Sequence, residues 1–219
     1  MSLHIHKQTV NDLLWNCLVK LMSLEKLANF RLVGGTSLSL LLGHRMSVDI
    51  DMFTDAEYGT IDFSEILKIL KTEFEFIEGH NNWNNKTMGN SCYIGVSELK
   101  TIKLDLFYTE PFIYPIISYD DIRLSSLEEI VAMKLDVIGR GGRKKDFWDT
   151  YELLNHFDLP DMLAIYSKRY PYNFSHDELI KQLTNFEKAD NDFEPNCLRG
   201  NYWELIKLDF EEIIKEYNS

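Results

Sequence analysis

The stretch LVGGTSLSLLLGHRMSVDIDMF, residues Leu32 to Phe53, decides how the rest of the chain is read. Phe30 to Val33 reads as a short strand ending at Gly34-Gly35. Thr36 then stands at a helix N-cap position and opens the apolar run Leu38, Leu40, Leu41, Leu42. Paired glycines let the backbone approach a ligand closely, and a helix N-terminus behind them aims unpaired N–H groups at an anion. Strand, Gly-Gly, Thr-Ser37, helix therefore describes a phosphate seat, and equally a plain tight connection. After the hinge Gly43-His44-Arg45-Met46-Ser47, the run Val48 to Phe53 alternates as a strand does. That alternation sets Asp49 and Asp51 on one face and Ile50 and Met52 on the other. Two carboxylates on one face of a mostly buried strand repel each other and lose hydration unless a cation compensates. Oxygen ligands at this spacing suit Mg2+, which takes one or two carboxylates and leaves positions for water and phosphate. An isolated D-x-D is also met as the solvated face of an edge strand.

The bulk properties narrow the class. At 219 residues, 45% hydrophobic and 13% aromatic, the chain can bury a substantial core as one compact domain or a closely packed pair. A net charge of −12 argues against a broad, sequence-independent grip on nucleic acid, though a local basic patch is compatible with it. Cys17, Cys92 and Cys197 are odd in number and form neither a disulfide framework nor a zinc pattern, which fits a reducing cytoplasm. No signal-peptide core and no apolar run near ~20 residues is present, so no membrane span is expected.

Around the core stretch, Val10 to Ala28 shows helical spacing of Leu13, Leu14, Cys17, Leu18 and Leu21, an amphipathic helix suited to cover a sheet. Trp15 on that helix reads as packing. Asp62 or Ser64 caps a helix through Leu70, and Phe74 to Ile77 follows as a strand. The asparagine-rich loop His80 to Asn90 receives no role. Ser91 to Val96 and Thr101 to Tyr108 form a hairpin around Glu98-Leu99-Lys100. Its second strand holds Asp105 between two leucines, where an acid needs a partner. A salt bridge to a basic neighbour, or an exposed edge position, would meet that need. Pro111 and Pro115 mark a loop, and Ile122 to Leu124 reads as a final edge strand.

Ser125 or Ser126 caps the helix Leu127 to Gly139. Lys134 lies near its apolar face, where a long stem can run along the core. The loop Gly139 to Lys145 gathers Arg140, Arg143, Lys144 and Lys145 in an otherwise acidic protein, and suits a triphosphate or an RNA backbone as well as it suits solvent. Asp146 stands at the N-cap of the next helix, with Asp149 one turn on. Met162 to Arg169, His176 to Phe186 and Tyr202 to Tyr217 complete a helical bundle.

The order strand, Gly-Gly-Thr-Ser, helix, D-x-D strand resembles the core motif of the nucleotidyltransferase superfamily, the DNA polymerase β-like fold. GGTSLSLLLGHRMSVDIDMF, with HR-x-S between glycines and acids, is similar to the AbiEii/AbiGii-type toxins of bacterial toxin–antitoxin and phage-abortive systems. AMKLDVIGRGGRKKDFWDTYELL resembles their second signature. The resemblance implies an α+β fold, a mixed sheet flanked by helices with a C-terminal helical bundle. The core is expected over residues 1–124 and the helical domain over 125–219. It implies Mg2+ or Mn2+ on Asp49, Asp51 and Asp105, with Asp105 also able to act as base, and an NTP as substrate. Its phosphates would meet Gly34, Gly35, Thr36, Ser37, Lys134, Arg140 and Arg143. Asp146 would be a further catalytic acid, and the helical bundle would wall the cleft. A tRNA or other RNA acceptor and a cognate antitoxin are the implied partners. A small-molecule, antibiotic-type transferase and a non-catalytic nucleotide- or partner-binding domain of the same fold are the alternatives.

Overall fold

The computed structural model describes residues 4–79, 83–84 and 86–219, so the expected loop at His80 to Asn90 lies partly outside the described residues. The chain divides into two compact units, Met1–Leu41 with Ser47–Ser125, and Leu42–Met46 with Ser126–Ser219.

In the first unit, α1 (Asp12–Ser23) begins where Asn11 Oδ1 accepts the Leu14 amide. It stops short of the expected Ala28 because Leu24 is extended, and Glu25–Leu27 turns as a separate 3-10 helix. Next come β1 (Arg31–Leu32), α2 (Gly34–Leu42), β2 (Asp49–Thr54) and α3 (Phe63–Glu73), the last capped by Asp62. Then follow β3 (Phe76–Gly79), β4 (Gly89–Ser97), β5 (Lys100–Tyr108), β6 (Ile116–Tyr119) and β7 (Ile122–Ser125). Among the described residues they form one mixed sheet in the order β3-β4-β5-β2-β1-β7-β6, with β2–β5 and β1–β7 parallel and the other pairs antiparallel.

The alternation read from the sequence decides which side of the sheet is wet. Ile50 and Met52 of β2, with Ile102, Leu104 and Leu106 of β5, join Leu14, Leu18 and Leu21 of α1 and Phe63, Ile66 and Leu70 of α3 in one buried core. The intervening positions of β2 and β5, which carry the acids, are only half-buried. The segment expected to be an edge strand is interior, because β7 lies between β1 and the outer strand β6. The proline spacing hid β6, which starts directly after Pro115. Arg123 of β7 donates to the carbonyls of Phe30, Met22 and Leu27, and so ties the approach to β1 down beside it.

The second unit is helical: α4 (Leu127–Gly139), α5 (Lys144–Leu153), α6 (Leu159–Arg169), α7 (His176–Leu183), α8 (Glu187–Asp190) and α9 (Trp203–Tyr217). Ser126, Asp158 and Ser175 cap α4, α6 and α7 through side-chain oxygens. Phe147 of α5 packs edge-on to Phe186, Trp203 and Phe210, with ring centroids 5.2 to 5.9 Å away. Leu42–Met46, which includes all of the expected hinge but Ser47, belongs to this unit. Leu198 N donates to His44 O at 2.8 Å and Met46 N to Asn196 O at 2.9 Å. Among the described residues no helix is long and apolar enough to cross a membrane.

Candidate active site

Parallel pairing of β2 with β5 places Asp51 directly opposite Asp105, and Asp49 opposite Lys103. Neighbouring strands lie about 4.8 Å apart, so three carboxylates and one ammonium share a small patch of the half-buried face. Asp105 Oδ2 takes a hydrogen-bonded ion pair from Lys103 Nζ, while Asp105 Oδ1 is buried with no hydrogen-bond partner. Burial pulls Lys103 down, but its bond to Asp105 and the charges of Asp105, Asp51 and Asp49 hold its ammonium above the usual lysine value. Across β4, Ser91 is opposite Asp105 and Tyr93 opposite Lys103. Cys92 points to the buried side, and its thiol is pushed up to about 12 by burial first and Asp105 second, so it supplies no thiolate nucleophile at neutral pH.

The glycine turn meets this patch at Gly34. Val33 N donates to Asp51 O at 2.9 Å, and Gly34 has φ +64°, a conformation that only glycine adopts at little cost. A Cβ at Gly34 would sit 3.1 Å from Asp51 Oδ2, so the turn and the acid row touch. Helix α2 starts at Gly34, not at an N-cap Thr36: Ser37 N bonds Val33 O, which makes Val33 the capping position. Helix geometry therefore leaves the amides of Gly34, Gly35 and Thr36 without intrahelical acceptors. The side chains of Thr36 and Ser37, expected to face phosphate, turn inward instead. Thr36 Oγ1 bonds Ser47 Oγ and donates to Asp49 O, and Ser37 Oγ reaches Ser125 O at 3.4 Å.

Lys134 and Asp146 belong to a buried polar cluster of the second unit. Lys134 Nζ lies 2.8 Å from Asp146 Oδ1 and 2.7 Å from Asp149 Oδ2. His44 Nε2 and Arg45 Nε reach Asp149 Oδ1 at 2.7 and 2.6 Å, and Arg45 NH2 reaches Oδ2 at 2.8 Å. Burial opposes charge on Asp149, yet Arg45, Lys134 and the His44 bond hold its carboxyl well below the usual carboxylate range. Asp146 is likewise depressed against its burial, by Lys134 and by the amide of Arg143. Lys134 is lowered by burial and raised more by Asp146 and Asp149. The lysine expected to meet nucleotide phosphates is 6% exposed and held by two acids. Asp146 is not the N-cap; Arg143 is, and Asp146 folds back to accept its amide at 3.0 Å. Arg140 and Arg143 are exposed, while Lys144 is buried beside the Trp203 ring.

Among the described residues no group of three or more His, Cys, Asp or Glu side chains is arranged to hold a metal ion. The expected triad is half-assembled: Asp105 shares its row with Asp51, but its outer oxygen is turned to Lys103. Sequence reading passed over Lys103, although its two-residue spacing from Asp105 already put both on one strand face. The partners of His44 and Arg45 lie more than a hundred residues on, and no local pattern reveals them.

A mixed sheet with a D-x-D strand beside an acid-bearing parallel strand, entered through a glycine turn and a helix, defines a nucleotidyltransferase fold. The solved structures similar to it agree. JHP933 from Helicobacter pylori superposes with a TM-score of 0.54 at 17% identity over 97% of this chain and 92% of that one. MenT4, the nucleotidyltransferase toxin Rv2826c of Mycobacterium tuberculosis, superposes with 0.51 at 15% identity over 86% of this chain and 76% of its own. An uncharacterised protein of Aquifex aeolicus is 29% identical over 212 residues, 91% of this chain and 93% of that protein. The model of the nucleotidyl transferase AbiEii toxin family of type IV toxin–antitoxin systems matches residues 17–214. The chain belongs to that family and is a nucleotidyltransferase of the toxin type.

Proposed function

We propose that this toxin moves a nucleoside monophosphate from an NTP to an acceptor hydroxyl at the acid row of β2 and β5, with a divalent cation as cofactor. The observation that carries the reading is the register of Asp51 with Asp105 beside Gly34. The donor set fits a hard cation: all the ligands are carboxylate oxygens, and Asp105 Oδ1 is a buried acceptor lacking any partner. Asp49, Asp51 and Asp105 would hold Mg2+ or Mn2+, which when bound supplies charge neutralisation for the triphosphate.

The chain's own groups do the rest. The amides of Gly34, Gly35 and Thr36 offer donors to phosphate oxygens, now without help from the Thr36 and Ser37 hydroxyls. Asp105 accepts the proton of the acceptor hydroxyl as its oxygen bonds to the α-phosphorus. The bond from that phosphorus to the bridging oxygen breaks, and pyrophosphate leaves. Lys134 and Asp146 act in this reading by holding the hinge residues His44 and Arg45 through Asp149, while Arg140 and Arg143 are exposed and Arg140 is paired with Asp136. The toxin family, and not the net charge of −12, favours an RNA or tRNA end over a cationic small molecule as acceptor. Family membership brings a cognate antitoxin as partner, and a cytoplasmic role in abortive infection follows from the same reading.

The test incubates the protein with each α-labelled NTP, Mg2+ and either an RNA pool or a panel of cationic small acceptors. Label on RNA supports the reading. Label only on small acceptors reassigns the substrate, and label on neither with every NTP refutes transfer.

A further inference from the structure

Among the described residues Lys103 is the basic side chain in register with the acid row, and what it does there follows from the charges around it. Three carboxylates on adjacent positions of paired strands are costly to keep ionised together without a cation between them. The cation the chain itself provides is Lys103, bonded to Asp105 and opposite Asp49. A lysine on Asp105 Oδ2 leaves Oδ1 as that acid's remaining oxygen for an ion and sets a positive charge directly beside it. Room for departure exists. The Lys103 side chain is 38% exposed, against 16% for Asp105, and it lines a cavity of about 450 Å3 with Glu78, Ser91 and Tyr93.

We propose that Lys103 is a built-in counter-cation of the metal-free enzyme: it occupies Asp105 until a divalent ion arrives, then swings toward the cavity beside Glu78 and Tyr93. This rests on the reading of Asp49, Asp51 and Asp105 as ion ligands. It adds that the chain competes with its own cofactor, which sets the affinity for the ion below what three carboxylates alone would give. Binding of an ion to the folded state also stabilises it by mass action, so affinity and unfolding temperature report the same competition.

The experiment measures Mn2+ binding by calorimetry, without nucleotide, on the wild type, Lys103→Met, Lys103→Gln and the double variant Lys103→Met/Asp51→Asn. Melting is followed in parallel in EDTA and in Mn2+. The expected result is Mn2+ binding at least about tenfold tighter in both single variants, since a positive charge beside the ligands has gone. In EDTA the same variants melt below the wild type, and in Mn2+ the gap narrows or reverses. Unchanged or weaker binding in both single variants overturns the counter-cation proposal while leaving the ion site intact. If the double variant binds Mn2+ as tightly as Lys103→Met, the ion does not sit on the acid row, and the reading beneath the proposal fails instead.

Discussion

In the proposed reading Asp49 and Asp51 are ion ligands and Asp105 is also the base, so substitutions there separate chemistry from folding. Asp105→Asn keeps the shape and removes the proposed base, and should lower transfer by about 10²–10⁴-fold. Its melting temperature should move little by comparison, as circular dichroism would show. Gly34→Ala tests the turn. Positive φ and a Cβ 3.1 Å from Asp51 Oδ2 both oppose the methyl group, so a loss of about 1–2 kcal/mol is expected in urea unfolding. Transfer should fall with it, because Asp51 is the atom group displaced. At Asp149, substitution by Asn leaves Arg45 and Lys134 buried with half their compensation, and should cost about 3–5 kcal/mol. That Asp49 and Asp51 share a face was legible from alternation, since a strand has only two faces, whereas the register that sets Asp105 opposite Asp51 is a long-range pairing that alternation does not reveal. The inward turn of Thr36 and Ser37 was not legible, because moving the helix start by two residues redirects both hydroxyls without changing the pattern of apolar positions.

At the scale of elements, the segments whose hydrophobic period is strong came out with nearly the bounds their sequence implies. The helix expected at Leu127 to Gly139 is α4 with those limits, and the hairpin at Ser91 to Tyr108 is β4 and β5 with one or two residues added. Errors fell where a long-range partner decides. Whether β7 is an edge or an interior strand depends on β6 returning against it, and β6 is four residues between prolines and a turn. The hinge Leu42–Met46 looks like an ordinary linker, yet its backbone bonds to residues 196 and 198 and its side chains to Asp149. Arg45→Met should therefore loosen this pairing. Faster amide exchange at Met46 and Leu198 than in the wild type is the expected outcome, and unchanged protection at both would count against the hinge's role.

For the whole molecule, the buried charges set how stability responds to pH. Asp146 and Asp149 are depressed in the folded state, so their contribution is complete above an unfolded value of about 3.9 and is lost as pH falls through the folded one. Lys134 is raised, so its contribution is complete below about 10.4 and is lost as pH rises through its folded value. The stability gap between wild type and Asp149→Asn should thus stay level from roughly pH 5 to 9 and close only in stronger acid. The family was readable from one stretch because the glycine turn and the D-x-D strand that carry the resemblance stand close together in sequence. The acceptor was not, because no motif in the chain specifies one. The most direct measurement is label transfer from an α-labelled NTP in Mg2+ by the wild type and by Asp51→Asn at matched stability. The account predicts labelled acceptor with the first and at least about a hundredfold less with the second. Equal labelling by both would contradict it.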